Sequence, residues 1–309
     1  MKIVFMGTPD FAVDCLKSLV ENGHDVCLAM SQPDKPQGRK MVLTAPAVKI
    51  CAQELGIETY QPTTLRDGEA TKRLQQIAPD LIVVVAYGKI IPQEILDIPP
   101  YGCINVHASL LPELRGAAPI QRSILEGKKV TGVTTMRLDA GMDTGDVLLV
   151  KETEILPDET SGELFDRLKG MGAELLVETV KGLQNGSVTP QKQDESKATY
   201  AAMLEKNMAP VDWSKSAQQV HDHIRGLDPW PGASTVINEK TVKLSQSHLG
   251  HPCGKAAGEV VSAEKQLEVC CGDGCTVLID TLQAQGKSKL AAPDFLRGFK
   301  IEKGTVLGK

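Results

Sequence analysis

Three polar side chains stand two apart in an otherwise apolar run: Asn105, His107 and Ser109 in "INVHASLLPELRGAAP", residues 104–119. In an extended chain such residues point to one face, so an amide, an imidazole and a hydroxyl would share it. Polar groups buried there need partners. An Asn amide can donate to a developing oxyanion, and a His can donate as imidazolium or move a proton. No nucleophile accompanies them: a serine hydrolase sets its Ser in G-x-S-x-G, whereas Ser109 sits in A-S-L. A carboxylate able to pair with His107 and fix its tautomer is offered by "DAGMDTGD" (139–146). Asp143 is its central acid, but spacing alone does not choose between it, Asp139 and Asp146, and turn formation accounts equally for any one of them.

These residues need a strand end to stand on, and the surrounding pattern supplies one. "KIVFMG", "DVCLAMS", "PDLIVVVAYG" and "CINVHAS" read as strands, the third a continuous apolar run typical of a central parallel strand. Between them "TPDFAVDCLKSLVENG" reads as a helix with Thr8 as N-cap and Pro9 at its first position, and "APAVKICAQELG" as a second. A helix around 117–127 follows, then "VTGVTTMRL" and "DVLLVKETEI" as an antiparallel extension, then a long amphipathic helix over 161–186. The alternation predicts an α/β, Rossmann-like, doubly wound parallel sheet, with ligands beyond the carboxyl ends of its strands. We place this domain at 1–188, a polar linker at 189–208, and at 209–309 a small OB-like β-barrel built from short strand-like runs.

Bulk properties narrow the possibilities. The 309 residues carry a net charge of −5 and are 41% hydrophobic, an ordinary globular balance, and no apolar run approaches the roughly 20 residues of a membrane span. The start reads as a first strand and not as a signal peptide, so a cytoplasmic protein is expected, and nothing demands more than a monomer. Residues 1–203 hold 21 basic and 27 acidic side chains, residues 204–309 hold 13 and 12, and the last 23 residues hold six basic against two acidic. The one basic loop of the acidic part, "PDKPQGRKMVLTAPAVK" (33–49), carries Lys35, Arg39, Lys40 and Lys49 against Asp34, the residue types that phosphate backbones require.

Other chemistries fit less well. The first βα turn, "MGTPDF", has Gly7 alone where a dinucleotide site needs G-x-G-x-x-G, which argues against a dehydrogenase. Eight cysteines in a chain of this kind are not expected to form a disulfide framework, and most read as small core residues. "HLGHPC" (248–253) and "CCGDGC" (270–275) match no common zinc spacing, and the second reads as a hairpin, so no metal is assigned. A non-catalytic RNA-binding module would leave Asn105 and His107 unexplained.

Taken together, "MKIVFMGTPDFA", "NVHASLLPELRGAAPIQRSI", "TGVTTMRLDAGMDTGD", "ATYA", "VDWS" and "GLDPWPGA" resemble the methionyl-tRNA formyltransferases, a branch of the folate-dependent formyltransferases. The resemblance runs along nearly the whole chain. Its 105–116 stretch is shared with amino-sugar, glycinamide ribonucleotide and formate-releasing relatives, so it specifies a chemistry more than an acceptor. It implies formyl transfer from 10-formyltetrahydrofolate, a co-substrate and not a tightly bound cofactor, to the amino group of initiator methionyl-tRNA. The family's catalytic Asn, His and Asp fall on Asn105, His107 and Asp143, and its folate-contacting S-L-L-P on Ser109, Leu110, Leu111 and Pro112. Its RNA-contacting loop falls on 34–49, with Lys35, Arg39 and Lys40, and Lys206 is a second contact. Met41, Val42 and Leu43 stand where more basic versions carry lysines.

Overall fold

The apolar runs form a single sheet. A computed structural model describes residues 1–38 and 41–308. Its seven-stranded sheet comprises β1 (Lys2–Gly7), β2 (Asp25–Met30), β3 (Thr59–Tyr60), β4 (Leu81–Val85), β5 (Cys103–His107), β6 (Val130–Arg137) and β7 (Val147–Glu154). Their order is β7-β6-β5-β4-β1-β2-β3. Strands β1 to β5 pair parallel, and β6 runs antiparallel to β5. Every residue of β4 and of β5 is buried, as expected for strands covered on both faces. The order turns back on itself between β1 and β4, which makes the sheet doubly wound.

The first helix departs from the expected start. It spans Phe11–Glu21, with Asp10 and not Thr8 at the N-cap position, and no side chain caps it. Thr8 is engaged elsewhere. Its hydroxyl donates to the Tyr87 carbonyl at 2.9 Å and accepts the Gln32 N–H at 3.3 Å. The first of these bonds ties the first βα turn to the loop after β4. Gly7 serves close packing here, since a Cβ would lie 2.8 Å from the Cβ of Ala12.

The chain divides into two compact units that do not follow sequence order. One holds Met1–Gly116, Thr131–Thr153 and Phe165–Tyr200; the other holds Ala117–Val130, Glu154–Leu164 and Ala201–Lys309. In the second, the helix Ala217–Gly226 opens with a capping box between Ser216 and Gln219 and packs on the helix Pro119–Leu125. A Cβ at Gly226 would meet Leu125 at 2.9 Å, so glycine sets that close approach. Where a barrel was expected there is an antiparallel sheet, in which Ala233–Ile237, Lys240–Pro252, Cys275–Ala284, Leu267–Cys270 and Val260–Ala263 pair in that order. Trp213, Ile224, Val242, Leu267, Ile279 and Phe295 share its core.

Several buried polar groups in this unit are paired. Arg225 and Asp222 form an ion pair at 2.6 Å, both almost fully buried, and Arg225 also donates to the Glu159 carbonyl at 3.0 Å. His221 contacts the Pro157 carbonyl at 2.9 Å, and His248 lies between Asp158 at 3.1 Å and Asp280 at 2.5 Å. The segment Glu154–Leu164 is thus fastened at three points. No framework of disulfides forms among the described residues, but one pair, Cys253–Cys270, is bonded, with its Cα atoms 6.6 Å apart. "CCGDGC" closes as the expected hairpin, Cys271 N–H donating to the Cys275 carbonyl at 2.8 Å. Among the described residues no group of three or more His, Cys, Asp or Glu gathers to hold a metal, and no helix is long and apolar enough to cross a membrane.

Candidate active site

Strand β5 sets the first two residues. Asn105 lies opposite Val84 of β4 and Met136 of β6, and His107 opposite Thr134. Both belong to the face selected by two-residue spacing, at the carboxyl end of a buried strand. Asn105 is 8% exposed, and among the described residues no hydrogen bond occupies its side-chain amide. A nearly buried amide with open capacity can serve an incoming group.

His107 is held more firmly. Its Nε2 lies 3.0 Å from the Leu114 carbonyl, which can only accept, so that nitrogen carries the proton. Its Nδ1 lies 3.7 Å from Oδ2 of Asp143, close enough for charge pairing but too long for a direct hydrogen bond. The same carboxylate oxygen accepts the Gly116 N–H at 2.8 Å. Asp143 has φ +55°, a left-handed conformation that Asp tolerates better than most side chains. Of the three aspartates that spacing left open, Asp143 is the one beside His107. Asp139 is turned into its own loop, accepting from the Gly141 N–H at 3.0 Å and the Thr144 hydroxyl at 2.7 Å.

Ser109 does not continue the strand. Its hydroxyl donates to the Glu113 carbonyl at 2.6 Å, closing the loop over Leu110, Leu111 and Pro112, whose Leu111–Pro112 peptide is cis. Thr134 fastens the base of that loop: its hydroxyl donates to the Ser109 carbonyl at 2.6 Å and accepts the Leu111 N–H at 3.2 Å. The hydroxyl that sequence placed on the chemical face is therefore engaged with backbone.

The basic loop divides. Lys35 is exposed on a short hairpin, Lys35–Gln37 with Val42–Thr44, and lines a cleft with Thr8, Gln32, Pro33, Thr44 and Ile50 at the carboxyl ends of β1 and β2. Arg39 and Lys40 lie outside the described residues. Lys49 is not free for a phosphate, because it pairs with Asp34 at 2.9 Å. Gln61 bonds Asp34 at 2.8 Å, and with Lys49 holds that carboxyl below its usual range. Beyond the hairpin turn Met41, Val42 and Leu43 are 67%, 58% and 66% exposed. In the second unit Lys206 is exposed on the single turn Lys206–Met208.

Sequence reasoning passed over Arg115, Gln193 and Glu195. Arg115 is fully buried, and its guanidinium donates to Glu195 at 2.7 and 2.9 Å and to Gln193 Oε1 at 2.7 and 3.1 Å. The partners lie about eighty residues away in a stretch without apolar period, so only the arginine in "LPELRG" could have drawn attention.

Known proteins resemble this chain along both of its parts. The formyl transferase family matches residues 1–180, and its formyl transferase C-terminal domain matches residues 203–300. A methionyl-tRNA formyltransferase of Citrifermentans bemidjiense is 46% identical, the match covering 100% of this chain and 97% of that one. One of Clostridium novyi is 48% identical over 99% of this chain and 100% of its own. Among solved structures, the sugar 3N-formyl transferase WlaRD, solved with dTDP and 5-N-formyl-THF, aligns with a TM-score of 0.71 at 19% identity over 93% of this chain and 99% of its own. The methionyl-tRNA formyltransferase from Clostridium thermocellum aligns with a TM-score of 0.55 at 19% identity over 80% and 93%.

Proposed function

The chain belongs to the formyl transferase family along both of its matched domains, and we propose that it moves the formyl group of 10-formyltetrahydrofolate onto the amino group of methionine on initiator tRNA. Asn105, His107 and Asp143 carry the chemistry, and the reading rests on one observation: an unengaged amide and an imidazole on one strand face, with a carboxylate 3.7 Å from the imidazole. We assign catalysis to residues 1–188, the connector to 189–208 and RNA contacts chiefly to 209–309 and the basic loop. The enzyme acts as a cytoplasmic monomer, since one chain supplies the whole trio.

The substrate amine is its own nucleophile, which accounts for the absence of one in the protein. An α-amino group has a pKa of about 7.7–8.0, so a useful fraction is neutral near pH 7. Its lone pair attacks the formyl carbon while the carbonyl electrons move to oxygen. The Asn105 amide donates to that oxyanion. His107, when protonated, adds its Nδ1–H, because Nε2 is committed to Leu114. Collapse breaks the bond to the folate nitrogen. One proton must leave the attacking amine and one must reach the leaving nitrogen, and Asp143 beside His107 is the group that relays it. Ser109, Leu110, Leu111 and Pro112 border the folate, and Lys35, Arg39, Lys40 and Lys206 meet RNA phosphates.

The test is transfer of radiolabelled formyl from 10-formyltetrahydrofolate, with charged initiator methionyl-tRNA offered against free methionine and an amino sugar. Label is expected on the tRNA, and Asn105→Ala and His107→Ala are each expected to lower kcat about 100-fold to 1,000-fold, the usual cost of an oxyanion donor. Label on the sugar would overturn the acceptor. A rate within threefold of the parent for either variant would overturn its role.

A further inference from the structure

Gln193 makes a pattern of contacts that a plain connector would not need. Its side-chain carbonyl accepts from Arg115 at 2.7 and 3.1 Å, while its NH2 donates to the backbone carbonyls of Asp143 at 2.8 Å and Gly145 at 2.7 Å. Arg115 sits between two residues that hold two of the trio: the Leu114 carbonyl takes His107 Nε2, and the Gly116 N–H takes the Asp143 carboxylate. Neighbouring residues brace the same strip, Thr199 accepting the Leu114 N–H on its hydroxyl at 2.8 Å and the Arg115 N–H on its carbonyl at 2.9 Å. Glu195 closes the far side of Arg115, whose hydrogen bonds hold that carboxyl below its usual range.

We propose that Gln193 is a positioning residue for catalysis, a clasp that sets the Asp143 carboxylate against His107 by fixing the 143–145 backbone to Arg115. This rests on the role given to Asp143 above. The geometry favours a positioning role over a packing one, since Gln193 is only half-buried and all four of its bonds converge on the loop that carries Asp143 and the strip that contacts Asp143 and His107. Asp143 has a left-handed backbone and only one hydrogen bond to its carboxylate among the described residues, so the placement of that carboxylate depends on how its backbone is held. Small misplacements of reacting groups cost rate heavily.

Gln193→Glu separates the two sides of the clasp. It keeps an acceptor for Arg115 and replaces the donor with a carboxylate oxygen facing two carbonyls. In the formyl-transfer assay it is expected to lower kcat about tenfold or more, with KM for both substrates within about twofold, because only the reacting geometry shifts. A double-mutant cycle supplies the decisive comparison: in an Asp143→Asn background, Gln193→Glu is expected to change kcat less than about twofold, since no carboxylate remains to be placed. A Gln193→Glu rate within twofold of the parent, a loss confined to KM, or full additivity with Asp143→Asn would each overturn the clasp. If Asp143→Asn itself leaves kcat unchanged, the role of Asp143 fails and the clasp with it, whereas a large loss there with an inert Gln193→Glu removes the clasp alone.

Discussion

At the scale of single residues, the site is built by committing most of its polar atoms and leaving the Asn105 amide open. His107 spends one nitrogen on Leu114 and turns the other to Asp143; Ser109 spends its hydroxyl on the loop it begins. Asn105 and His107 were legible in the sequence because strand periodicity fixes which side chains share a face. Asp143 was not separable from Asp139 by spacing, since the choice is made by backbone conformation and by an Asx turn that uses Asp139. Gln193 was illegible because its bonds span 48 to 78 positions. Thr134 exposes the same economy. Thr134→Val keeps the shape but leaves the Leu111 N–H and the Ser109 carbonyl without their hydroxyl partner in a buried place, which is expected to cost about 1–3 kcal/mol. Urea unfolding measures it, and an unchanged midpoint would mean that the loop re-pairs elsewhere.

At the scale of elements, two short segments hold more than their length suggests. The strap Glu154–Leu164 leaves the sheet and is fastened by Arg225, His221 and His248. Burial works against the charge of His248, but its hydrogen bonds to Asp158 and Asp280 more than offset this, so its pKa is raised. The stabilisation is then fully present below the unfolded imidazole value near 6.5 and is lost as pH rises through the folded one. Burial lowers the pKa of the neighbouring His221, and both histidines share Asp158, so parent and variant must be compared directly. His248→Gln is expected to lower Tm more at pH 6 than at pH 9; an equal difference at both would show that its charge contributes nothing. The other segment is the first βα turn. The helices and strands themselves were readable from apolar period, but the start of Phe11–Glu21 was not, because Thr8 found a partner 79 residues away.

At the scale of the molecule, the proposed function requires an acidic protein to meet a polyanion, and we assign that contact to a few local cations. Its net charge is −5, Lys49 is neutralised by Asp34, and an apolar run follows the hairpin turn. With about four candidate phosphate contacts, the apparent affinity for methionyl-tRNA should fall with a slope of roughly −3 in log–log salt dependence. Initial rates at increasing potassium chloride measure it. A slope near zero would move recognition from phosphates to Met41, Val42 and Leu43. The α/β class and the order of the two domains were legible, but the division into spatial units was not. Apolar spacing in "PIQRSIL" says that Ile120 and Ile124 are buried, and it does not say against what.

Because Pro119–Leu125 belongs with Ala217–Gly226, the ribosome finishes the first partner some ninety residues before the second exists. Ile120 and Ile124 must wait through the synthesis of two more strands of the large sheet and the long helix, apolar and uncovered. Such surfaces are what chaperones bind and what aggregation exploits. A gene fragment ending at the familiar domain border would make that wait permanent.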